Sequence, residues 1–183
     1  GIEPLELAAK EGLSLINGCQ VMTAVGLLNA REARRLAWMT DLAGAMSLEA
    51  LRGSRNAFDP LIAATRPHPG EAKTARNMLK LLGPTSSIAE SHADCKKVQD
   101  AYSLRCMPAV HGAAKDAICR TLETLEIEAN SSTDNPLVFA KDGKVLSCGN
   151  FHGEPVAFAM DFLGIAMSAM ASISECRIAK LVN

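Results

Sequence analysis

The sequence predicts a mainly α-helical chain, an antiparallel bundle of long helices with one small β-hairpin insertion. Apolar residues recur at mixed three- and four-residue spacings over most of the 183 residues, with strong helix formers between them. Strand-like sequence is confined to one short stretch after Pro136. A chain of this length is sufficient for one domain with a substantial core.

The first half of the chain is predicted to be helical with turns between the helices. The helices are expected over Leu5–Ile16, over Val21–Leu51, from Asp59-Pro60 onwards for a short length, and over Glu71–Leu82. Asn17-Gly18 is a turn signal between the first two, and the proline-rich residues 66–70 predict a second turn. The serine-rich residues 83–94 are expected to form a loop.

The second half is predicted to hold two long helices on either side of the hairpin. The helices are expected over Pro108–Asn130 and Glu154–Leu181, each with a proline in its first turn. The strand candidates are Leu137–Phe139 and Val145–Ser147, and Lys141–Lys144 between them is typical of a hairpin turn.

The composition argues against a nucleic-acid partner and against a metal site. The formal charge is -1, from 19 basic and 20 acidic residues, and aromatic residues are only 4%, so neither an electrostatic surface nor a stacking platform for nucleic acid is expected. The six cysteines form no CxxC pair, which favours reduced thiols in a cytoplasmic protein. His92 and Cys95 could hold one edge of a metal ion, but no second pair has zinc-site spacing, so we expect no metal.

The last helix raises the question of a membrane. From Val156 to Ile173 only Asp161 is charged, and the length approaches that of a bilayer-spanning helix. The stretch is built more of Ala, Met, Gly and Ser than of Leu and Ile, and it continues into charged residues. A helix that is apolar on nearly all sides is more simply surrounded by other helices, so we expect self-association and no membrane.

The most informative motif lies at residues 98–106. It places an amide, a phenol and a guanidinium at Gln99, Tyr102 and Arg105, three residues apart each time. If the segment is helical, the three polar groups share about a third of the helix surface and can converge on one small ligand. Arg105 then suits a carboxylate, with two hydrogen-bonding groups beside it. The alternative is a core tyrosine beside two solvated side chains.

This motif resembles the active-site segment of the histidine ammonia-lyase family, including His92 and Asp94-Cys95 before it and Met107-Pro108 after it. Three further stretches match the family in the same order: Gly12–Gly18, Thr133–Phe139 and Gly149–Pro155. Four separated motifs in the family's order identify the chain as a member.

The resemblance implies the helical ammonia-lyase/fumarase-like fold, a homotetramer, and elimination of ammonia from L-histidine to give urocanate. It implies catalytic roles for Tyr102 and Asn17. Arg105 would bind the substrate carboxylate, with Gln99 in the same pocket and Phe151 as an apolar wall. Asn17 could instead be only a turn former, and Phe151 only a core residue.

The family's electrophile is absent from this chain. The resemblance implies a methylidene-imidazolone ring made by cyclisation of an Ala-Ser-Gly tripeptide, and no Ala-Ser-Gly occurs here. Ser147-Cys148-Gly149 is the nearest match, but it lacks the small flanking residues. In the family the tripeptide precedes the first motif. Residues 1–183 are therefore expected to be a single central segment of a longer protein, inactive alone.

The chain departs from the family pattern at four positions: Cys19 for threonine, Ala109 for glutamine, Cys148 for glycine and Cys176 for arginine. These changes keep a second hypothesis open, a non-catalytic truncated helical module whose function is assembly. A third keeps the chemistry but changes the substrate to tyrosine or phenylalanine, because much of the selectivity is set upstream in the family.

Overall fold

The computed structural model describes residues 1–183 and contains eight α-helices and one two-stranded antiparallel sheet, so the predicted fold class is confirmed. The helices are α1 Glu11–Ile16, α2 Gln20–Ala50, α3 Pro60–Thr65, α4 Pro69–Leu82, α5 Ser87–Ser91, α6 Tyr102–Arg105, α7 Met107–Ala129 and α8 Glu154–Val182. The strands are β1 Leu137–Phe139 and β2 Lys144–Leu146, and 3-10 turns occupy Asn56–Phe58 and Ala140–Asp142.

Two predictions for the first half are wrong by more than two residues. The first helix begins at Glu11 rather than Leu5, because residues 1–9 are exposed and have no surface to pack against. The expected loop over 83–94 contains α5. Ser86 starts α5, accepting a hydrogen bond from the Ala89 amide at 3.0 Å while its hydroxyl donates to Glu49 at 3.0 Å.

The hairpin has the predicted position with a small shift. Its second strand begins at Lys144, one residue earlier than expected, and Val138 pairs with Val145 at its centre. The turn ends on Gly143, whose φ of 62° is easily adopted only without a side chain. The hairpin therefore projects between α7 and α8 without interrupting either helix.

The main core lies between α2, α7 and α8. Its buried members are Ala30, Ala33, Ala37, Ala114, Ala117, Ile118, Leu125, Val156, Leu163, Ala166 and Met170. Many of them are alanines, so the helix axes can approach closely. A second cluster packs α4 and α6 against the other end of α2, and its largest buried members are Leu48, Phe58, Met78 and Met107.

The helices α4 and α7 cross at two glycines that leave no room for a side chain. A Cβ on Gly70 would lie 2.0 Å from the carbonyl oxygen of Gly112, and one on Gly112 would lie 2.4 Å from the backbone nitrogen of Glu71. Both obstructing atoms are backbone, so no side-chain rotation can relieve the clash. This crossing fixes the start of α4 against the first third of α7.

A charged residue lies in the core-facing stripe of α2. Asp41 is fully buried and follows Ala30, Ala33 and Ala37 at three- and four-residue spacings. Its Oδ1 faces His111 Nδ1 at 2.9 Å, and its Oδ2 accepts from Asn77 Nδ2 at 2.8 Å and pairs with the Lys115 ammonium. This single carboxylate therefore joins α2 to α4 and α7.

The burial of this cluster changes its titration. Burial raises the pKa of Asp41, but the hydrogen bonds from His111, Asn77 and Lys115 outweigh burial and hold the pKa below its usual value. Burial lowers the pKa of His111, outweighing the opposite effect of its hydrogen bond to Asp41. His111 is therefore neutral and Asp41 ionised at pH 7.

Large apolar surfaces are left uncovered. Glu11–Ala50 and Glu154–Val182 are each long and apolar enough to span a bilayer by length and composition, and only 22% of the most apolar part of each is buried within the chain. On α8, Phe158 and Ile165 are 66% and 67% exposed. Such continuous apolar surface is more than a soluble monomer usually exposes.

Gly112→Ala is predicted to lower the free energy of unfolding by about 3 kcal/mol, because the added methyl group must displace backbone at the α4–α7 crossing. Urea unfolding of the purified chain measures this change. Gly149→Ala after β2 is the control, since nothing lies within 4 Å of its Cβ and its φ is not positive. It is expected to raise stability by up to about 1 kcal/mol. Equal effects of the two substitutions would contradict the close crossing.

Acid is predicted to destabilise the chain through His111. Its folded pKa is below the unfolded value of 6.5, so the unfolded chain binds more protons below that pH. This contribution is complete above pH 6.5 and is lost as the pH falls below it, with a slope of up to about 1.4 kcal/mol per pH unit. In urea titrations, His111→Gln should flatten the slope, whereas His68→Gln at an exposed position should not. Identical slopes in the wild type and His111→Gln would contradict this assignment.

Candidate active site

The helix α6 is a single turn with two inward and two outward side chains. Leu104 is 3% exposed and packs in the second core cluster, and Ser103 is also buried. Tyr102 and Arg105 consequently face outward, and the Arg105 guanidinium lies over the Tyr102 ring at 4.5 Å from its centroid. The fold thus presents both predicted site residues on one short, anchored segment.

The prediction that Gln99, Tyr102 and Arg105 share one helical face is wrong, because α6 begins only at Tyr102. Gln99 lies in the irregular segment before it. Gln99 and Arg105 still line one cleft of about 430 Å³, together with His92 and Cys95. Tyr102 is 72% exposed and lines a neighbouring groove between α6 and α8. The three side chains are therefore close together but approach from different directions.

Arg105 is held through its Nε atom, which leaves the two terminal nitrogens of its guanidinium group free. Its Nε donates to the backbone oxygen of Asp100 at 2.9 Å, and its two terminal nitrogens make no hydrogen bond within the chain. Asp100 is itself fixed, since its Oδ2 accepts from the Ser54 amide at 2.6 Å. The free terminal nitrogens can bind a carboxylate in the bidentate manner of guanidinium groups.

The charges around this cleft favour an anion. Arg52, Arg55 and Lys97 line it beside Arg105, and Asp100 is its one carboxylate. The Asp100 side chain is bonded to a backbone amide, so it opposes an entering anion less than a free carboxylate would. No group of three or more His, Cys, Asp or Glu side chains in residues 1–183 is placed to hold a metal ion.

The second part of the candidate site is the turn at Asn17. Gly18 has φ of 146°, and a Cβ there would lie 2.1 Å from the carbonyl oxygen of Thr133. Asn17 Nδ2 donates to Asp134 Oδ1 at 3.1 Å, which leaves the amide oxygen of Asn17 without a partner in the chain. The turn therefore presents a hydrogen-bond acceptor of fixed orientation.

Asp134 is the anchor of that turn. It pairs with the Lys10 ammonium, accepts from Ser14 Oγ at 2.8 Å, and accepts from the Asn135 amide at 2.7 Å. The hydrogen bond from Lys10, followed by that from Ser14, holds the pKa of Asp134 well below its usual range. The Asp-Asn pair at residues 134 and 135, within the matching stretch Thr133–Phe139, was the available sequence signal for a residue that orients Asn17.

Phe151 lies beside the Asn17 turn. The Cys19 thiol donates to the backbone oxygen of Phe151 at 3.5 Å, and the Asn150 amide donates to the Ser132 oxygen at 2.9 Å. Burial raises the pKa of the Cys19 thiol, which keeps the donating proton in place. The Phe151 side chain is 41% exposed. Phe151 is therefore a partly exposed residue rather than a core residue.

The two parts of the site lie at opposite ends of the bundle. Asn17 and Phe151 precede α2 and α8, whereas Asp100 contacts Ser54, just beyond the far end of α2. At about 1.5 Å per residue, the 31 residues of α2 extend over about 45 Å. No small ligand can touch Asn17 and Arg105 of the same chain.

The four departures from the expected pattern fit without strain. Cys148 has an ordinary φ, and its amide donates to Asn135 Oδ1 at 2.7 Å, so this position does not require glycine. Ala109 is half-buried in the first turn of α7, and Cys176 lines the groove beside Tyr102. All six cysteines are free thiols.

Comparison with known sequences agrees with the motifs. The aromatic amino acid lyase family profile matches residues 1–183. Histidine ammonia-lyase of Sorangium cellulosum is 56% identical over 188 residues, which cover the whole chain and 36% of that protein. The histidine ammonia-lyase of Gloeobacter violaceus is 56% identical over 183 residues, 35% of its length. The chain spans about a third of the length of these curated relatives.

Solved structures share the same architecture. Histidine ammonia-lyase from Trypanosoma cruzi superposes with a TM-score of 0.88 at 45% identity, over all of this chain and 33% of that one. Tyrosine aminomutase from Streptomyces globisporus gives 0.91 at 37% identity, over all of this chain and 38% of its own. Phenylalanine ammonia-lyase from Rhodosporidium toruloides gives 0.90 at 31% identity, over all of this chain and 27% of its own.

Proposed function

We propose a function from one established premise: this chain belongs to the aromatic amino acid lyase family. The complete protein that contains it is a histidine ammonia-lyase, which eliminates ammonia from L-histidine to give urocanate. The chain contributes the carboxylate-binding segment and the Asn17 turn. With six free thiols, the protein is proposed to be cytoplasmic.

The observation that carries the choice of histidine is the difference in identity between relatives. The histidine enzymes named above are 45% to 56% identical to this chain in sequence, whereas the tyrosine and phenylalanine enzymes are 37% and 31% identical. The TM-scores of 0.88 to 0.91 do not separate the substrates, since the fold is common to all of them. The presence of His92 and Asp94-Cys95 before the motif favours histidine; His92 and Cys95 line the same cleft as Arg105, and Asp94 does not.

Arg105 is proposed to bind the substrate carboxylate. Its terminal nitrogens are free, its Nε is bonded to Asp100, and other cations line the cleft. A carboxylate in this place receives two charge-assisted hydrogen bonds, which orient the amino acid. Gln99 lines the same cleft and offers both a donor and an acceptor. Tyr102 stands beside Arg105 as the proposed proton-transfer group.

The Asn17 end is proposed to face the electrophile. When present, a methylidene-imidazolone ring supplies an electron sink for departure of the amine, and it would come from an Ala-Ser-Gly segment outside residues 1–183. The residues present fit a small planar ring with polar substituents, because the Asn17 amide oxygen is unpaired and Phe151 adds an exposed aromatic wall. Asp134 fixes the Asn17 amide for this task.

A complete site requires a second copy of the chain. Since Asn17 and Arg105 are separated by the length of α2, one substrate can meet both only if they come from different copies. The uncovered apolar surfaces of α2 and α8 supply the contact area for such an assembly. We propose a homotetramer, in which these helices are covered by other subunits rather than by lipid.

In the complete enzyme, Arg105→Met is predicted to lower kcat/KM for histidine by about two to three orders of magnitude, because a desolvated bidentate ion pair is lost. Arg105→Lys should recover only part of this, since lysine lacks the planar fork. The assay is urocanate formation. Arg120→Met, at an exposed position on α7, is the control and should retain wild-type activity. A nearly wild-type Arg105→Met enzyme would remove the carboxylate assignment.

The purified 183-residue chain is predicted to form a dimer or tetramer at micromolar concentration and to produce no urocanate. Light scattering during size-exclusion chromatography measures its mass. Phe158→Lys with Ile165→Lys places charge on the exposed face of α8 and should shift the chain towards monomer. Glu175→Lys, at an exposed position, should not. A well-folded wild-type monomer would refute the proposed assembly.

A further inference from the structure

The helix α6 is too short to keep its conformation and position without contacts to the rest of the chain. It has four residues, and an isolated turn of this length is not stable in water. Leu104 anchors its inner side by apolar packing. The only side chain that donates a hydrogen bond to the backbone of Tyr102–Arg105 is Arg177, whose Nη1 lies 3.4 Å from the carbonyl oxygen of Ser103.

Arg177 is itself oriented by buried partners. It is 3% exposed and projects from the last third of α8. Its Nη1 also lies 3.3 Å from His111 Nε2, and its Nη2 donates to Ser174 Oγ at 2.8 Å. A guanidinium nitrogen can only donate, so His111 Nε2 must carry a lone pair. The His111 proton is therefore on Nδ1, where it donates to Asp41.

The contacts form one continuous path from the centre of the bundle to the site. Asp41 on α2 fixes His111 on α7, His111 fixes Arg177 on α8, and Arg177 fixes the backbone of α6. Every member of this path lies on the present chain and is less than 8% exposed. Its geometry therefore does not depend on a second copy or on other segments.

We propose that Arg177, oriented by His111, is a positioning residue that fixes α6 and so directs Tyr102 and Arg105 towards the substrate. This proposal rests on the proposed function. Its contact point, the Ser103 carbonyl, is one residue from Tyr102 and two from Arg105, so movement there displaces both side chains. Displacements of about 1 Å are sufficient to reduce catalysis strongly.

The test uses the complete enzyme with Arg177→Met and Arg177→Lys. The first removes the guanidinium, and the second keeps a buried positive charge should the first fail to fold. Thr121→Val is the matched control. Its hydroxyl is also buried and shares its proton between the carbonyl oxygens of Ala117 on α7 at 3.0 Å and Ala159 on α8 at 3.1 Å. It lies far from α6 along α7.

Two measurements separate positioning from general stability. Hydrogen exchange should accelerate at the amides of Leu104, Arg105 and Cys106 in both Arg177 variants, by about tenfold to a hundredfold for loss of a charged hydrogen bond. The KM for histidine should rise by a similar factor, more in Arg177→Met than in Arg177→Lys. A loss of folded enzyme alone lowers the apparent kcat and leaves KM unchanged. Thr121→Val should change neither exchange at α6 nor KM.

Unchanged exchange at α6, or accelerated exchange with a wild-type KM, would overturn the positioning role. A rise in KM of equal size in Thr121→Val would do the same. The proposed function is tested separately by the wild-type enzyme. If the wild type does not convert histidine, that function fails, and the exchange measurement alone decides whether Arg177 holds α6.

Discussion

The bundle depends on the buried carboxylate of Asp41. A charge without solvent is tolerated only when its oxygens are fully hydrogen-bonded, and here the partners come from two other helices: His111 and Lys115 on α7, and Asn77 on α4. These bonds fix both the rotation and the axial position of each helix. The alanine-rich core between α2, α7 and α8 could not do this alone, since small apolar side chains fit in several registers.

The lengths of the helices then determine how the site is built. A bundle about 45 Å long keeps its two functional ends apart, so rigidity within one chain excludes a complete site within that chain. The apolar faces of α2 and α8 that remain exposed are the surfaces through which a second copy could supply the missing end. Under the proposed function, catalysis and association are two consequences of the same architecture, because the charged cleft of one copy would meet the acceptor and the aromatic side chain of another.

The long helices could be predicted because their apolar periodicity agrees with the surface that buries them. The sequence could not show that residues 5–9 lack a packing partner, or that Asp100 is held by Ser54 while Gln99 stays outside α6. The Asp41 cluster was also missed, since its members are far apart in sequence. A signal was present: an aspartate in the core-facing stripe of α2 predicts buried partners elsewhere.

The separation of Asn17 from Arg105 has a genetic consequence for the proposed enzyme. A chain defective at Asn17 still carries an intact Arg105 end, and a chain defective at Arg105 still carries an intact Asn17 end. When two such chains assemble together, some of the sites combine the intact Arg105 end of one chain with the intact Asn17 end of the other. Two alleles that are each inactive would then restore partial activity when expressed in the same cell, so the cooperating residues are inherited on one gene but function on different molecules.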